Sequence, residues 1–305
     1  MRVLVLGAGG TGGYFGGRLF EAGRDVTFLV RPKRAEQLLR DGLVLKSPFG
    51  DACLKPPALT SAGNGSRFDL VILSCKSYDL DAAMEAIAPA VEHGAAVLPL
   101  LNGMRHLDAL EARFGRERIL GGWCALSATL ERDGTVRQLS KTQMLKFGEL
   151  DGVMSARIEA IAQLMHGANF EGSASGKIVQ EMWNKWVFLS TLAGMTCLMR
   201  ASVGTIMEAG GEPWMLALYE EAQTVAMACG FPVQGESNQK LRAALTERGS
   251  HFTASMLRDI ESGGRTEGDH VLGDLLERAR AKAIETPVLA MAYCHVRAYE
   301  LTRVA

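Results

Sequence analysis

The sequence has almost no net charge. Its 33 lysines and arginines meet 34 aspartates and glutamates, leaving −1 at pH 7. That balance gives no support to nucleic acid or an anionic membrane as the main partner, and any basic site has to be local. No apolar run reaches the ~20 residues of a membrane span. A CxxC pair is missing too: Cys53, Cys75, Cys124, Cys197, Cys229 and Cys294 are scattered, which reads as reduced, mostly buried thiols of a cytoplasmic protein. The six histidines lack metal-ligand spacing, so no metal site is expected. Internal repeats and low-complexity tracts do not occur. What is present is a globular composition, 48 % apolar and 22 % charged over 305 residues, enough for two domains with separate cores.

The opening residues 1–7 read as a strand running into glycines rather than as a signal peptide. Strands are expected at 3–6, 25–30, 70–73 and 96–100, with helices at 13–21, 33–40 and 80–90 between them. The uninterrupted Leu70-Val71-Ile72-Leu73 is the mark of a strand buried on both faces. This βαβ rhythm predicts an α/β fold with an N-terminal Rossmann-type doubly wound parallel sheet. Residues 122–148, with the turn Arg132-Asp133-Gly134-Thr135, predict antiparallel strands added to one edge. A helix at 153–165 follows. Beyond residue 175 helical periodicity dominates, at 178–192, 212–229, 239–247, 273–283 and 286–301, the last with Thr286 as cap and Pro287 in its first turn. The pattern sets a boundary near residue 173, in the Gly/Ser-rich stretch 171–176. It predicts a Rossmann domain at 1–173 and an all-α domain at 174–305.

Gly7-Ala8-Gly9-Gly10-Thr11-Gly12 fits GxGxxG, directly after a strand and directly before a helix, as the motif's mechanism requires. The first glycine allows the tight turn, the second lets a pyrophosphate approach the backbone, and the third lets helix and strand pack closely. Free N–H groups at the helix start then meet phosphate charge. NAD sites usually carry a carboxylate at the end of the second strand, for the ribose hydroxyls. Here that end reads Arg31-Pro32-Lys33-Arg34. Three cations and no carboxylate favour a 2′-phosphate, and hence NADP, with Arg31 able to grip it in a fork. Two further loops fall at carboxyl ends of expected strands: Ser74-Cys75-Lys76-Ser77 and Leu101-Asn102-Gly103. Lys76 would suit the phosphate or adenine side, and Asn102 the nicotinamide ribose or the substrate. Either residue is equally an ordinary loop residue.

The combination of Gly7–Gly12, Arg31, Cys75-Lys76, Leu101-Asn102-Gly103-Met104, Trp183-Asn184-Lys185 and Ser255-Met256-Leu257-Arg258-Asp259, followed by Thr266-Glu267, resembles ketopantoate reductase (2-dehydropantoate 2-reductase). The resemblance runs in order over nearly the whole chain. It implies NADPH-dependent reduction of ketopantoate to pantoate, a step toward pantothenate and coenzyme A. It also implies a Rossmann domain and a helical domain with the active site in the cleft between them. By position, Lys185 matches the family's general acid, and Asn102 the asparagine touching both cofactor and substrate. Ser255 matches a substrate-binding serine, Glu267 a glutamate at the substrate and nicotinamide end, and Lys76 and Arg31 cofactor contacts. The family pattern carries substrate-binding asparagines four and eight residues after the lysine. This chain has Leu189 and Ala193 there, with Ser190 and Thr191 as the nearest polar residues.

The chemistry suits these residues. Reducing a ketone builds negative charge on its oxygen, and a lysine ammonium can both stabilise that charge and donate the proton. Glu267 would orient Lys185 or the substrate, and Ser255 would donate to a substrate carboxylate. Without the resemblance, Lys185 amid Trp183, Trp186, Val187 and Phe188 reads as a lysine snorkelling from an apolar helix. Glu267 likewise reads as a carboxylate at a helix N-terminus. His251 and His270 flank the segment as alternative acids, without a triad-like partner. Three functions compete: ketopantoate reduction; NADP-dependent reduction of another 2-keto acid, which Leu189 and Ala193 motivate; and a catalytically silent NADP-binding redox sensor. The expected partner is a small 2-keto acid. Helical second domains of this kind often dimerise, so a homodimer is an expected assembly, although no apolar stripe marks its interface.

Overall fold

Short β-branched runs become strands and the glycine-rich stretch becomes a helix. In chain order the first part comprises β1 (Arg2–Leu6), α1 (Gly10–Glu21), β2 (Asp25–Leu29), α2 (Pro32–Asp41), β3 (Leu43–Lys46), β4 (Ala52–Leu54), β5 (Ala58–Leu59) and β6 (Leu70–Leu73). It continues with α3 (Leu80–Glu92), β7 (Ala96–Pro99), α4 (Arg105–Phe114), β8 (Leu120–Leu130), β9 (Val136–Glu149), α5 (Ala156–Met165) and β10 (Glu171–Ala174). The second part comprises α6 (Ile178–Met199), α7 (Val203–Glu208), α8 (Glu212–Ala228), α9 (Gly235–Leu245), α10 (Ser255–Glu261), a π turn at Asp269–Gly273, α11 (Asp274–Ala281) and α12 (Pro287–Val304). The computed structural model describes residues 1–63, 65 and 67–304.

Two compact units emerge. One holds Met1–Leu101 and His106–Val179; the other holds Asn102–Arg105 and Gln180–Ala305. The short segment after β7 therefore belongs with the helices. The stretch 171–176, expected to hold the domain boundary, supplies β10, which pairs in parallel with β9.

In the first unit, a parallel sheet runs β5-β2-β1-β6-β7. Every residue of β6 and β7 is buried, as the apolar runs require. The expected antiparallel pair is present as β8 and β9, joined at Glu131–Thr135, where Asp133 Oδ1 accepts from Thr135 N at 2.9 Å. One bridge, Val97 with Ile119, ties edge strand β7 to the residue before β8. The pair also joins β3, β4 and β10 in a second, mixed sheet. Strands β3 to β5 have only two to four residues each, too few for a period-2 signal to stand out. Helix α1 packs against both sheets. An added Cβ on Gly16 would come within 2.7 Å of Phe28, and one on Gly17 within 3.0 Å of Leu43 and Leu45. Its Tyr14, Phe15 and Leu19 are fully buried, each stabilising the packing by about 1.5–3 kcal/mol.

The second unit is helical throughout. Along α6, nearly everything from Trp186 to Cys197 is buried, which suits a helix packed on all sides. The first turn of α12 starts at Pro287 as expected. Its exposed N–H groups are met from α8: Glu221 accepts from Val288 N at 3.0 Å and from Leu289 N at 2.8 Å. That carboxylate lies 65 positions before Thr286, the residue expected as the cap, so sequence spacing does not reveal it. The thiols correct another expectation. Only Cys124 and Cys197 are buried, while Cys53 and Cys294 are exposed; no disulfide forms among the described residues. Burial pushes the Cys197 thiol up to about 12. No helix among the described residues is long and apolar enough to cross a membrane.

Candidate active site

Strands β1, β2 and β6 end level with one another, Leu6 lying opposite both Leu29 and Leu73. The residues that follow form one edge. Gly7 takes φ +90° and donates its N–H to the Leu29 carbonyl at 2.9 Å. Ser74 Oγ donates to the Leu6 carbonyl at 2.9 Å. A Cβ on Gly12 would overlap Ser74 Oγ and the Gly7 carbonyl, so the third glycine of the motif is what lets α1 start this close to the sheet. Above Gly9 the space is open, with nothing within 4 Å of where a Cβ would stand. Gly9 caps α1 without a side-chain hydrogen bond, leaving the first-turn N–H groups of Gly10, Thr11 and Gly12 no intrahelical acceptor. Ala8 is buried beneath the loop. An open approach, bare backbone and first-turn N–H donors fit the pyrophosphate of a dinucleotide.

The cationic turn divides its labour. Arg31 is 80 % exposed, with Nη2 3.1 Å from Asp79 Oδ2. Lys33 is exposed. Arg34 turns inward: Nη2 donates to the Ala8 carbonyl at 2.9 Å and Nη1 to Gln37 Oε1 at 2.7 Å, while burial lowers its pKa. It braces the glycine loop from below, a role the sequence did not signal. The structure corrects the expectation that no carboxylate is at hand: Asp79 arrives from the short turn after β6, 48 residues later. An exposed ion pair of this kind holds by about 0–1 kcal/mol, little enough for an incoming phosphate to displace it. Lys76, half-buried, opens that turn, and its carbonyl accepts from Asp79 N at 2.9 Å.

The second unit assembles a different cluster. Lys185 Nζ, half-buried on α6, donates to Asn102 Oδ1 at 3.1 Å. The two residues are 83 apart in sequence, and the contact brings together two of the residues expected at the site. Next to Lys185, Trp186 is buried and its Nε1 donates to the Val271 carbonyl at 2.9 Å. Glu267 is 8 % exposed, and its carbonyl accepts from His270 N at 3.1 Å and Val271 N at 2.9 Å at the start of the π turn. His270 is buried; desolvation lowers its pKa, against the opposing pull of Glu267 and Asp274. His251 is exposed. Ser255 is the first residue of α10, and the preceding Ala254 N reaches Thr196 Oγ1 on α6 at 3.4 Å.

One turn beyond Lys185, Leu189 is half-buried; one turn further, Ala193 is 1 % exposed. Ser190 and Thr191 do not substitute for polar groups there. Both are fully buried, Ser190 Oγ donating to the Trp186 carbonyl and Thr191 Oγ1 to the Val187 carbonyl at 2.8 Å. Their hydroxyls are taken up by their own helix. Trp183 stacks on Phe231 and Phe188 on Phe252, both as packing contacts within this unit.

Two family descriptions match this chain. "Ketopantoate reductase PanE/ApbA" covers residues 3–152, and its C-terminal counterpart covers 177–300. A Bacillus subtilis (strain 168) protein named "Uncharacterized oxidoreductase YkpB" is 39 % identical over 98 % of this chain and 99 % of its own. The crystal structure of a PanE/ApbA family ketopantoate reductase from Ralstonia eutropha JMP134 aligns over all of both chains with a TM-score of 0.90 at 25 % identity. A D-mandelate dehydrogenase, solved with NADH and anilino(oxo)acetate, shares the fold at a TM-score of 0.87 and 20 % identity, again over all of both chains.

Proposed function

The chain belongs to the ketopantoate reductase family, a family of oxidoreductases, and on that premise we propose that it catalyses NADPH-dependent reduction of a 2-keto acid, with ketopantoate and its product pantoate as the leading pair. The observation that carries this reading is the Lys185–Asn102 hydrogen bond, a cation presented together with an amide. When bound, the nicotinamide supplies the hydride. Lys185 stabilises the charge that grows on the carbonyl oxygen and delivers the proton to it. Asn102 holds the lysine amine in place and offers its amide to the ligand. Ser255 donates to the substrate carboxylate, and Glu267 supports the substrate end.

On the dinucleotide side, Gly7, Ala8, Gly9, Gly10, Thr11 and Gly12 cradle the pyrophosphate. Arg31 exchanges Asp79 for the 2′-phosphate, and Lys76 adds a second cation from the neighbouring strand end. In this division of work the first unit binds NADP and the second holds the substrate and the proton donor. The cytoplasm and a homodimer complete the proposal.

A second reading, reduction of a different 2-keto acid, has its own support. The α6 face beyond Lys185 offers Leu189, and the hydroxyls of Ser190 and Thr191 are already occupied. A substrate hydroxyl directed there would lose hydrogen bonds to water without replacing them. Following NADPH oxidation with a panel of 2-keto acids separates the two readings. The first requires ketopantoate to have the highest kcat/KM. A higher value for an acid lacking the hydroxyl selects the second. Tight NADPH binding with turnover of no keto acid would select a redox sensor instead.

A further inference from the structure

His270 has no part in the chemistry above, yet it touches the segment that carries Asn102. It lies 7 % exposed in the π turn Asp269–Gly273. Its ring donates to the main-chain carbonyl of Asn102. It also closes over Gly103, where an added Cβ would come within 3.0 Å of ring atom Cδ2 and 3.3 Å of Nε2. Gly103 has φ +76°, so the ring covers a left-handed residue that has no side chain to obstruct it. Two residues on, Arg105 is fastened to the start of α11, 3.6 Å from Asp274 and in contact with Glu277. These contacts explain why Asn102–Arg105 groups with the helices rather than with the sheet it follows.

The other partner is registered on the same turn. Trp186, next to Lys185, donates to the carbonyl of Val271, the residue after His270. Lys185 and Asn102 thus meet beside one π turn, whose consecutive residues contact the Asn102 main chain and Trp186, the neighbour of Lys185. Such turns break the α-helical repeat and redirect side chains and carbonyls, which is why they recur at functional sites. The charged groups facing the His270 ring are Glu267, Asp274 and Arg105. Burial outweighs the two carboxylates and keeps the imidazole neutral at pH 7, so it serves as a fixed donor rather than a proton carrier.

We propose that His270 is a positioning residue that fixes the Asn102 carbonyl and thereby aims the Asn102 amide at Lys185. The proposal rests on the reading of Lys185 as the proton donor. The test compares His270→Leu, which removes the N–H, with His270→Asn and His270→Gln, which return an amide N–H at two depths. His270→Leu should lower kcat by about 10–100-fold and leave KM for NADPH within about twofold, and one amide variant should recover about tenfold of the loss. Hydrogen exchange followed by mass spectrometry is the second readout. His270→Leu should speed exchange at residues 102–105 and leave α6 unchanged. Should His270→Leu not fold, Gly103→Ala, whose Cβ meets the ring, should give the same kcat loss. A kcat for His270→Leu within about twofold of wild type, amide variants no better than leucine, or unchanged exchange at 102–105 overturns the proposal. If wild type reduces no 2-keto acid, the reading of Lys185 fails, and the exchange result alone decides whether His270 clamps the segment.

Discussion

The two units build their candidate groups from different material. The first uses main chain: the φ of Gly7, the bare Cα of Gly12 and the open N–H groups at the start of α1. The second uses side chains brought from distant segments, Asn102 to Lys185 and Arg105 to Asp274. A main-chain site is set by local geometry and fails when an atom is added. A side-chain cluster is set by packing and fails when a group is removed.

That contrast can be broken first where the packing bears most charge. Asp274 is 6 % exposed on its side chain, pairs with Arg278 at 3.1 Å and Arg105 at 3.6 Å, and has its pKa raised by burial. Asp274→Ala would take the buried carboxylate away from Arg105 and Arg278, the latter lying over the Trp183 and Trp186 rings. It should destabilise by about 3 kcal/mol in a urea titration, somewhat less than a fully buried pair because both arginines are partly exposed. Gly12→Ala tests the other unit by addition. Its Cβ would meet backbone, so a loss of about 2 kcal/mol is expected, together with weaker NADPH binding in a calorimetric titration.

A smaller effect sharpens the cofactor assignment. Arg31→Ala should raise KM for NADPH about tenfold and leave KM for NADH nearly unchanged; equal shifts would remove Arg31 from the 2′-phosphate. The smallest is a control at an ion pair that belongs to neither candidate cluster. Hydrogen bonding from Arg157, Nε to Glu149 Oε1 at 2.6 Å, holds the Glu149 pKa below its ordinary value. A depressed folded pKa contributes stability above the unfolded carboxylate value and loses it as pH falls through the folded one. Glu149→Gln should therefore lower Tm by about 3 °C at pH 7, with the difference from wild type disappearing below the folded pKa of Glu149, in the acid range.

The same contrast explains what could be read in advance. The glycine motif is contiguous and directional, so strand, loop and helix were legible together. The β8–β9 hairpin was legible from its turn residues. Strands β3 to β5 were not, because two to four residues carry no reliable period. Lys185, Asn102, Ser255 and Glu267 stood out through resemblance, but nothing in their spacing showed that Lys185 meets Asn102. The Arg31–Asp79 pair and the inward turn of Arg34 depend on strands brought side by side, which residue order does not encode. His270 was visible only as a candidate acid; its buried contact with the Asn102 segment needed the fold.

In the proposed reaction the amine of Lys185, presented beside Asn102, drives the reduction. Steady-state kinetics of Lys185→Ala with the best 2-keto acid, alongside NADPH affinity by fluorescence, tests it most directly. The variant's kcat/KM should be lower by about 10²–10⁴-fold with NADPH affinity preserved. Turnover equal to wild type with the same substrate would contradict it.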